Sequence, residues 1–85
     1  MTKTEHLLGY VKASTYRKKV MNALKGKKLT PSELAKETGI PLPHVSNTLE
    51  ELSQKDLVVC LTPELKKGRL YDLTKEGRSV LKSIT

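Results

Sequence analysis

The chain is poor in the residues that staple or bulk up a small domain. Its 85 residues include one cysteine, three tyrosines and neither tryptophan nor phenylalanine. Cys60 alone excludes an internal disulfide and a thiolate metal cluster, which fits a reducing, cytoplasmic setting. Without Phe or Trp the core has to be aliphatic, built mostly from Leu and Val. No apolar run approaches the roughly 18 residues of a membrane helix, and no signal-peptide pattern opens the chain. The expectation is a soluble, unexported protein with no membrane partner. There is no Gly-rich phosphate loop, and His6 and His44 lie far apart. No catalytic residue, cofactor or metal site is therefore expected, and the chain does not read as an enzyme. Internal repeats and low-complexity tracts are also missing. Residues 1–85 make one small domain with one modest core, of which residues 1–7 are expected to be flexible.

Charge is not scarce, but it is unevenly placed. The formal net charge is +7, an excess that points to a polyanionic partner, most often nucleic acid. Residues 1–29 hold eight Lys/Arg and one Glu, a net +7, whereas residues 30–57 hold two Lys against five acids, a net −3. Residues 58–85 hold six basic and three acidic residues, a net +3.

That acidic central stretch, TPSELAKETGIPLPHVSNTLEELSQKDL, has the strongest structural signals. Thr30 suits an N-cap, Pro31 the first helical position, and Glu33 closes a capping box. Gly39 is best able to take the left-handed conformation past a helix end. Pro41 biases Ile40 towards an extended conformation. A second helix follows over residues 42–55, with Val45, Thr48, Leu49 and Leu52 spaced i, i+3, i+4, i+7. Two helices joined this way form a helix-turn-helix.

Around it, residues 8–13 could be a short strand or an extended arm. Ser14 caps a helix over residues 15–25 whose apolar stripe is Tyr16, Val20, Ala23 and Leu24, with Met21 at its edge. Gly26 ends that helix, and Leu29 suits a one- or two-residue strand. Residues 57–61 and 69–73 are β-prone and flank a charged turn, making a hairpin with a basic tip. Thr74 caps a last helix carrying Val80, Leu81 and Ile84, in which Gly77 costs about 1 kcal/mol of helix propensity.

Helix, short strand, helix, helix and hairpin is the order of a winged helix. The fold class is α+β and mostly α: a three-helix core, a β-hairpin wing and a C-terminal helix. TPSELAKETGIPLPHVSNTLEELSQKDLV followed by GRLYDLT resembles the single-domain winged-helix transcription regulators of archaea, related to the MarR and ArsR groups. The likeness runs from Ala13-Ser14-Thr15-Tyr16-Arg17 to about Leu81. It implies sequence-specific binding of double-stranded DNA, with the helix over residues 42–55 in the major groove and the wing on the backbone or minor groove. Asp56 stands where related regulators commonly have glycine, a position that Asp tolerates better than most residues. The clustered ligands of an ArsR-type metal sensor are missing.

Independently of the resemblance, helical spacing assigns contacts within that frame. If Val45, Leu49 and Leu52 face the core, Leu42, Pro43, His44, Ser46 and Asn47 are left on the opposite face near the helix N-terminus, where recognition helices reach base edges. Asn47 can pair bidentately with adenine, Ser46 can donate or accept, His44 can reach a base or phosphate, and Leu42 can touch a thymine methyl. Lys66, Lys67 and Arg69 flank Gly68 and suit phosphates or the minor groove. Arg17 and Lys18 join them from the basic first helix. Thr30, Pro31 and Ser32 need no role beyond capping, and Glu50 and Glu51 are expected to point away from a duplex.

The reading is a DNA-binding transcription regulator, with the last helix or the arm at residues 8–11 available for a homodimer. The alternative is a winged-helix protein-interaction module within a transcription or processing complex, for which the acidic central stretch speaks. A third option is non-specific nucleic-acid coating driven by the basic first helix.

Overall fold

The computed structural model describes residues 3–84. In chain order these form α1 (Lys3–Lys12), α2 (Thr15–Ala23), α3 (Pro31–Thr38), α4 (Leu42–Gln54), β1 (Val58–Cys60), β2 (Tyr71–Leu73) and α5 (Lys75–Ile84). This is a mostly helical winged helix, as expected from residue 14 onward.

The difference lies before residue 14. Residues 8–13, expected as a strand or an arm, instead continue a helix that begins at Lys3. The described part of the segment expected to be flexible is the start of that helix; Met1 and Thr2 lie outside the described residues. Leu7 and Val11 are four apart, so they share one helix face, and both are buried. Helix α1 lays that face against α5 and α2. A ten-residue helix with a central glycine is marginal alone, and tertiary packing supplies what propensity does not.

Helix α2 is also rotated from expectation. Ser14 caps it by accepting the Arg17 N–H at 3.2 Å, and the buried residues are Val20, Met21 and Leu24. Met21 belongs to the core and Tyr16 to the surface, because α1, α4 and α5 close over one side of α2. A tyrosine, apolar in body and polar at the tip, suits the rim. Gly26 turns the chain at φ 74°.

The two central helices form through local devices. Thr30 Oγ1 accepts the Glu33 N–H at 3.2 Å, and the Glu33 carboxylate accepts the Thr30 N–H at 2.9 Å. Gly39 ends α3 in the left-handed conformation, its N–H on the Ala35 carbonyl. Val45, Thr48, Leu49 and Leu52 form the buried stripe of α4. The chain leaves α4 at Asp56, with φ 58° the one non-glycine residue of positive φ among the described residues. The expected tolerance of Asp there is what the structure uses.

The hairpin pairs Val58 with Leu73, Val59 with Asp72 and Cys60 with Tyr71, antiparallel. Leu29 adds the expected short third strand: its N–H reaches the Tyr71 carbonyl at 3.1 Å, and the Tyr71 N–H returns to Leu29 at 2.9 Å. These bonds tie the base of the wing to the segment that enters α3. The core is aliphatic throughout, with Val20, Leu24, Leu34, Leu49, Leu52, Leu57 and Val80 among its fully buried side chains.

The capping box makes one pH-dependent contribution. The Thr30 backbone N–H, and then the Thr30 hydroxyl, hold the Glu33 carboxyl below its ordinary range. A carboxylate depressed in this way stabilises the fold above its unfolded pKa and loses that contribution as pH falls through its folded pKa. Thermal melts against pH should therefore show wild type and Glu33→Gln diverging near neutrality and converging in acid.

Candidate nucleic-acid interface

An open groove of about 790 Å³ separates α4 from the wing. Leu42, Ser46, Glu50 and Ser53 line it from α4, Lys66, Lys67, Gly68 and Arg69 from the wing, and Thr30, Pro31 and Ser32 from the N-terminus of α3. The geometry follows from the 100° turn per residue of an α-helix. With residues 45, 48, 49 and 52 inward, Leu42, Ser46 and Ser53 fall on the wing side of α4. Pro43, Asn47, Glu50 and Gln54 fall on its outer crest, and His44, Glu51 and Lys55 on the side towards α1 and α2.

The structure distributes the expected contact residues accordingly. Leu42, Pro43, His44, Ser46 and Asn47 are all exposed, on one end of one helix. Leu42 and Ser46 look across the groove to the wing, while Pro43 and Asn47 lie beside them on the crest. His44 is on the far side, its ring 5.6 Å from that of Tyr16 at 50°. Gly68, at φ 65°, turns the wing tip. Arg69 folds its Nε–H back onto the Leu65 carbonyl, and Thr62 Oγ1 accepts the Leu70 N–H at 3.0 Å. The turn is therefore closed on itself, and Lys66 and Lys67 project from it, exposed and without a carboxylate partner among the described residues.

Arg17 and Lys18 lie elsewhere. Arg17 is inside a cluster: its Nη1 donates to the Tyr10 carbonyl at 2.8 Å, its guanidinium carbon lies 3.7 Å from the centroid of the Tyr10 ring, and Nε is 3.4 Å from Glu51 Oε1. Lys18 lines a shallow depression with Leu81 and Ile84, on the side of α2 that meets α5. Neither borders the groove.

The acidity of the central stretch is largely consumed within the fold. Glu33 closes the capping box, Glu37 pairs with Lys27 at 2.7 Å, and Glu51 pairs with Arg17. Glu50 differs from its neighbour: it lines the groove, contrary to the expectation that it points away. One residue along a helix is a rotation of 100°, which sends Glu51 to α2 and Glu50 to the open side. The residues missed from sequence are Ser53 and Tyr71 in the groove and Tyr10 behind Arg17. Ser53 was within reach of the same helical count that found Ser46. Among the described residues no three His, Cys, Asp or Glu cluster as metal ligands would, and no helix is long and apolar enough to cross a membrane.

Residues 15–59, just over half the chain, match the family model described as bacterial regulatory protein, arsR family. The match covers α2, α3, α4 and the start of the wing. The solved structures it resembles are larger. A mutant MarR from E. coli is 27% identical with a TM-score of 0.76 over 95% of this chain and 63% of that one. The same mutant complexed with operator DNA is 25% identical, TM-score 0.75, over 95% and 59%. NadR in complex with 4-hydroxyphenylacetate is 26% identical, TM-score 0.75, over 99% and 61%. The chain thus spans less than two thirds of the length of these structures. No curated protein matches it in sequence.

Proposed function

Because this chain belongs to the arsR family of bacterial regulatory proteins, we propose that it is a transcription regulator that binds double-stranded DNA through the groove between α4 and the wing, and not an enzyme. The observation that carries this reading is the juxtaposition of two surfaces. The exposed N-terminal end of α4 lies across a groove from two wing lysines that have no carboxylate partner among the described residues, with the N-terminus of α3 at its border. A helix end offering a hydroxyl, an amide and an apolar side chain suits base edges in a major groove. Lysines without carboxylate partners suit phosphates. The similarity to a MarR structure complexed with operator DNA supports the binding of duplex DNA.

Leu42, Pro43, Ser46 and Asn47 are assigned to base readout, with His44 at the edge of that surface. Lys66, Lys67 and Arg69 are assigned to the backbone or minor groove. A homodimer would engage two half-sites. Val80 and Leu81, expected to supply its contact, are buried in the chain's own core, which leaves Ile84 and the outer sides of α1 and α5 for that purpose.

Selecting bound sequences from a random duplex pool tests the reading. Wild type should enrich a defined motif. Ser46→Ala with Asn47→Ala should lose about 1–3 kcal/mol of discrimination at the bases concerned, while keeping most of its affinity for a scrambled duplex. A pool that shows no enrichment would leave either non-specific coating, if duplex is still bound, or, if it is not, a protein-interaction module, for which the groove-lining Glu50 is the specific support.

A further inference from the structure

The Arg17 cluster explains why an acid sits on the recognition helix. Arg17 lies over the Tyr10 ring of α1, its guanidinium carbon 3.7 Å from the ring centroid, donates to the Tyr10 carbonyl, and faces Glu51 of α4 at 3.4 Å. Lys55, at the end of α4, places its ammonium 5.4 Å from the same ring. The Arg17 side chain is 18% exposed against 47% for Glu51, so the guanidinium is held inside while the carboxylate comes to it from the helix surface. Arg17 Nε makes no hydrogen bond, and the ion pair is all that it has. Next to Arg17, Tyr16 meets the His44 ring. Two adjacent residues of α2 therefore hold α4 at two points, His44 and Glu51, seven residues or about 10.5 Å apart along the helix.

We propose that Arg17, backed by Tyr10 and paired with Glu51, is a positioning residue that sets the rotation of the recognition helix about its own axis, and is not a phosphate contact. Two attachments on one side of a rigid helix, two turns apart, fix the direction in which its other sides point. The side they fix by exclusion is the one that carries Leu42 and Ser46 towards the wing. The planar guanidinium suits the task, since it stacks on a ring and donates in its own plane at the same time. Glu51 is retained on a DNA-facing helix because it is the handle by which α1 and α2 hold that helix.

This inference rests on the DNA-binding reading for its functional consequence, but its structural part can be measured without DNA. Electrostatics alone makes Glu51→Ala bind duplex more tightly, because an acid is removed. Positioning makes it bind more weakly. On the duplex selected by the wild-type chain, Glu51→Ala and Arg17→Met should each lower affinity about three- to tenfold, the scale of a partly buried ion pair stacked on a ring. A scrambled duplex of the same length should change less than about twofold, and the slope of log affinity against log salt should stay as in wild type. If Arg17 touched a phosphate, its removal would reduce that slope by about one. A reduced slope, or tighter binding by Glu51→Ala, overturns the proposal.

Tyr10→Leu, which removes the ring and leaves both charges, supplies the readout independent of DNA. The amide chemical shifts of residues 47–54 should move in Tyr10→Leu and stay close to wild type in Tyr10→Phe, both variants remaining folded by circular dichroism. Should wild type select no duplex at all, the regulator reading fails while the clamp is still judged by those shifts. Unmoved shifts in Tyr10→Leu sink it.

Discussion

Reversing the two wing lysines, Lys66→Glu with Lys67→Glu, should reduce duplex affinity near physiological salt by about a hundred- to a thousandfold. Each phosphate contact removed releases about one fewer counterion, so the salt slope should fall by about two. Repulsion from the new carboxylates adds to that loss. The effect should be confined to binding. The wing turn is closed by Gly68, by Arg69 on the Leu65 carbonyl and by Thr62 on the Leu70 N–H, and none of these uses a lysine ammonium. A melting temperature within a few degrees of wild type is therefore the companion result, as for exposed substitutions generally.

Lys18→Glu makes the informative control. It changes one charge in the most basic segment of the chain, but on the side of α2 that meets α5. If net charge alone drew the duplex, Lys18 would matter about as much as one wing lysine. If position decides, affinity should change less than about twofold at a salt concentration where the Debye length is about 8 Å. Fluorescence anisotropy across a salt series separates the two, and an equal effect at Lys18 and Lys66 would falsify the assignment of the groove. The interaction-module reading makes a different forecast, because a protein partner would survive the wing reversal that removes DNA.

How far the sequence could be read depended on how local its signals were. The capping box at Thr30 and Glu33, the turn at Gly39 and the α4 stripe each need no more than eight consecutive residues to recognise, and the structure keeps all three. The wing was legible for the same reason: a glycine among lysines between two β-prone runs. Helix α1 was not. Its two buried residues, Leu7 and Val11, are surrounded by Leu8, Gly9 and Tyr10, whose alternation imitates a strand, and the surface that makes it a helix belongs to α5, at the other end of the chain. Arg17 shows the same limit at the level of the site. In the sequence it is one cation in a basic run, while the ring and the carboxylate that hold it come from α1 and α4. Glu50 and Glu51 are identical in type and adjacent in number, and only the rotation of α4 in the folded chain separates their surroundings.

Gly77 carries that distinction into stability, and Gly77→Ala should be among the most damaging single-methyl changes in the molecule. By propensity alone the substitution is favourable by about 1 kcal/mol, since glycine is a poor residue inside a helix. The fold reverses the sign. Gly77 is buried in the first turn of α5, and a Cβ built on it would overlap the Leu57 carbonyl oxygen and lie 3.0 Å from its carbon. That carbonyl is not free to move, because it accepts the Thr74 N–H at 3.1 Å. Thr74 in turn caps α5, accepting the Gly77 N–H at 2.9 Å and donating to the Asp56 carbonyl at 2.6 Å. Space for a methyl group can come only from lifting α5 off the segment that follows α4, or from breaking the hydrogen bonds that start the helix. Overpacking of this kind costs roughly 1–3 kcal/mol against side chains, occasionally more, and here the obstacle is backbone. A net loss of about 2–3 kcal/mol is expected, which for a domain of this size lowers the melting temperature by about 10–20 °C. Gly9→Ala supplies the opposite case. Gly9 also lies in a helix, but nothing is within 4 Å of its added Cβ, so the same change should stabilise by about 0.5–1 kcal/mol. Thermal melts of the two variants should move in opposite directions from wild type. A Gly77→Ala protein as stable as wild type would mean that α5 can dock without the close approach to Leu57, and the junction between α4, the wing and α5 would then be looser than its hydrogen bonds require.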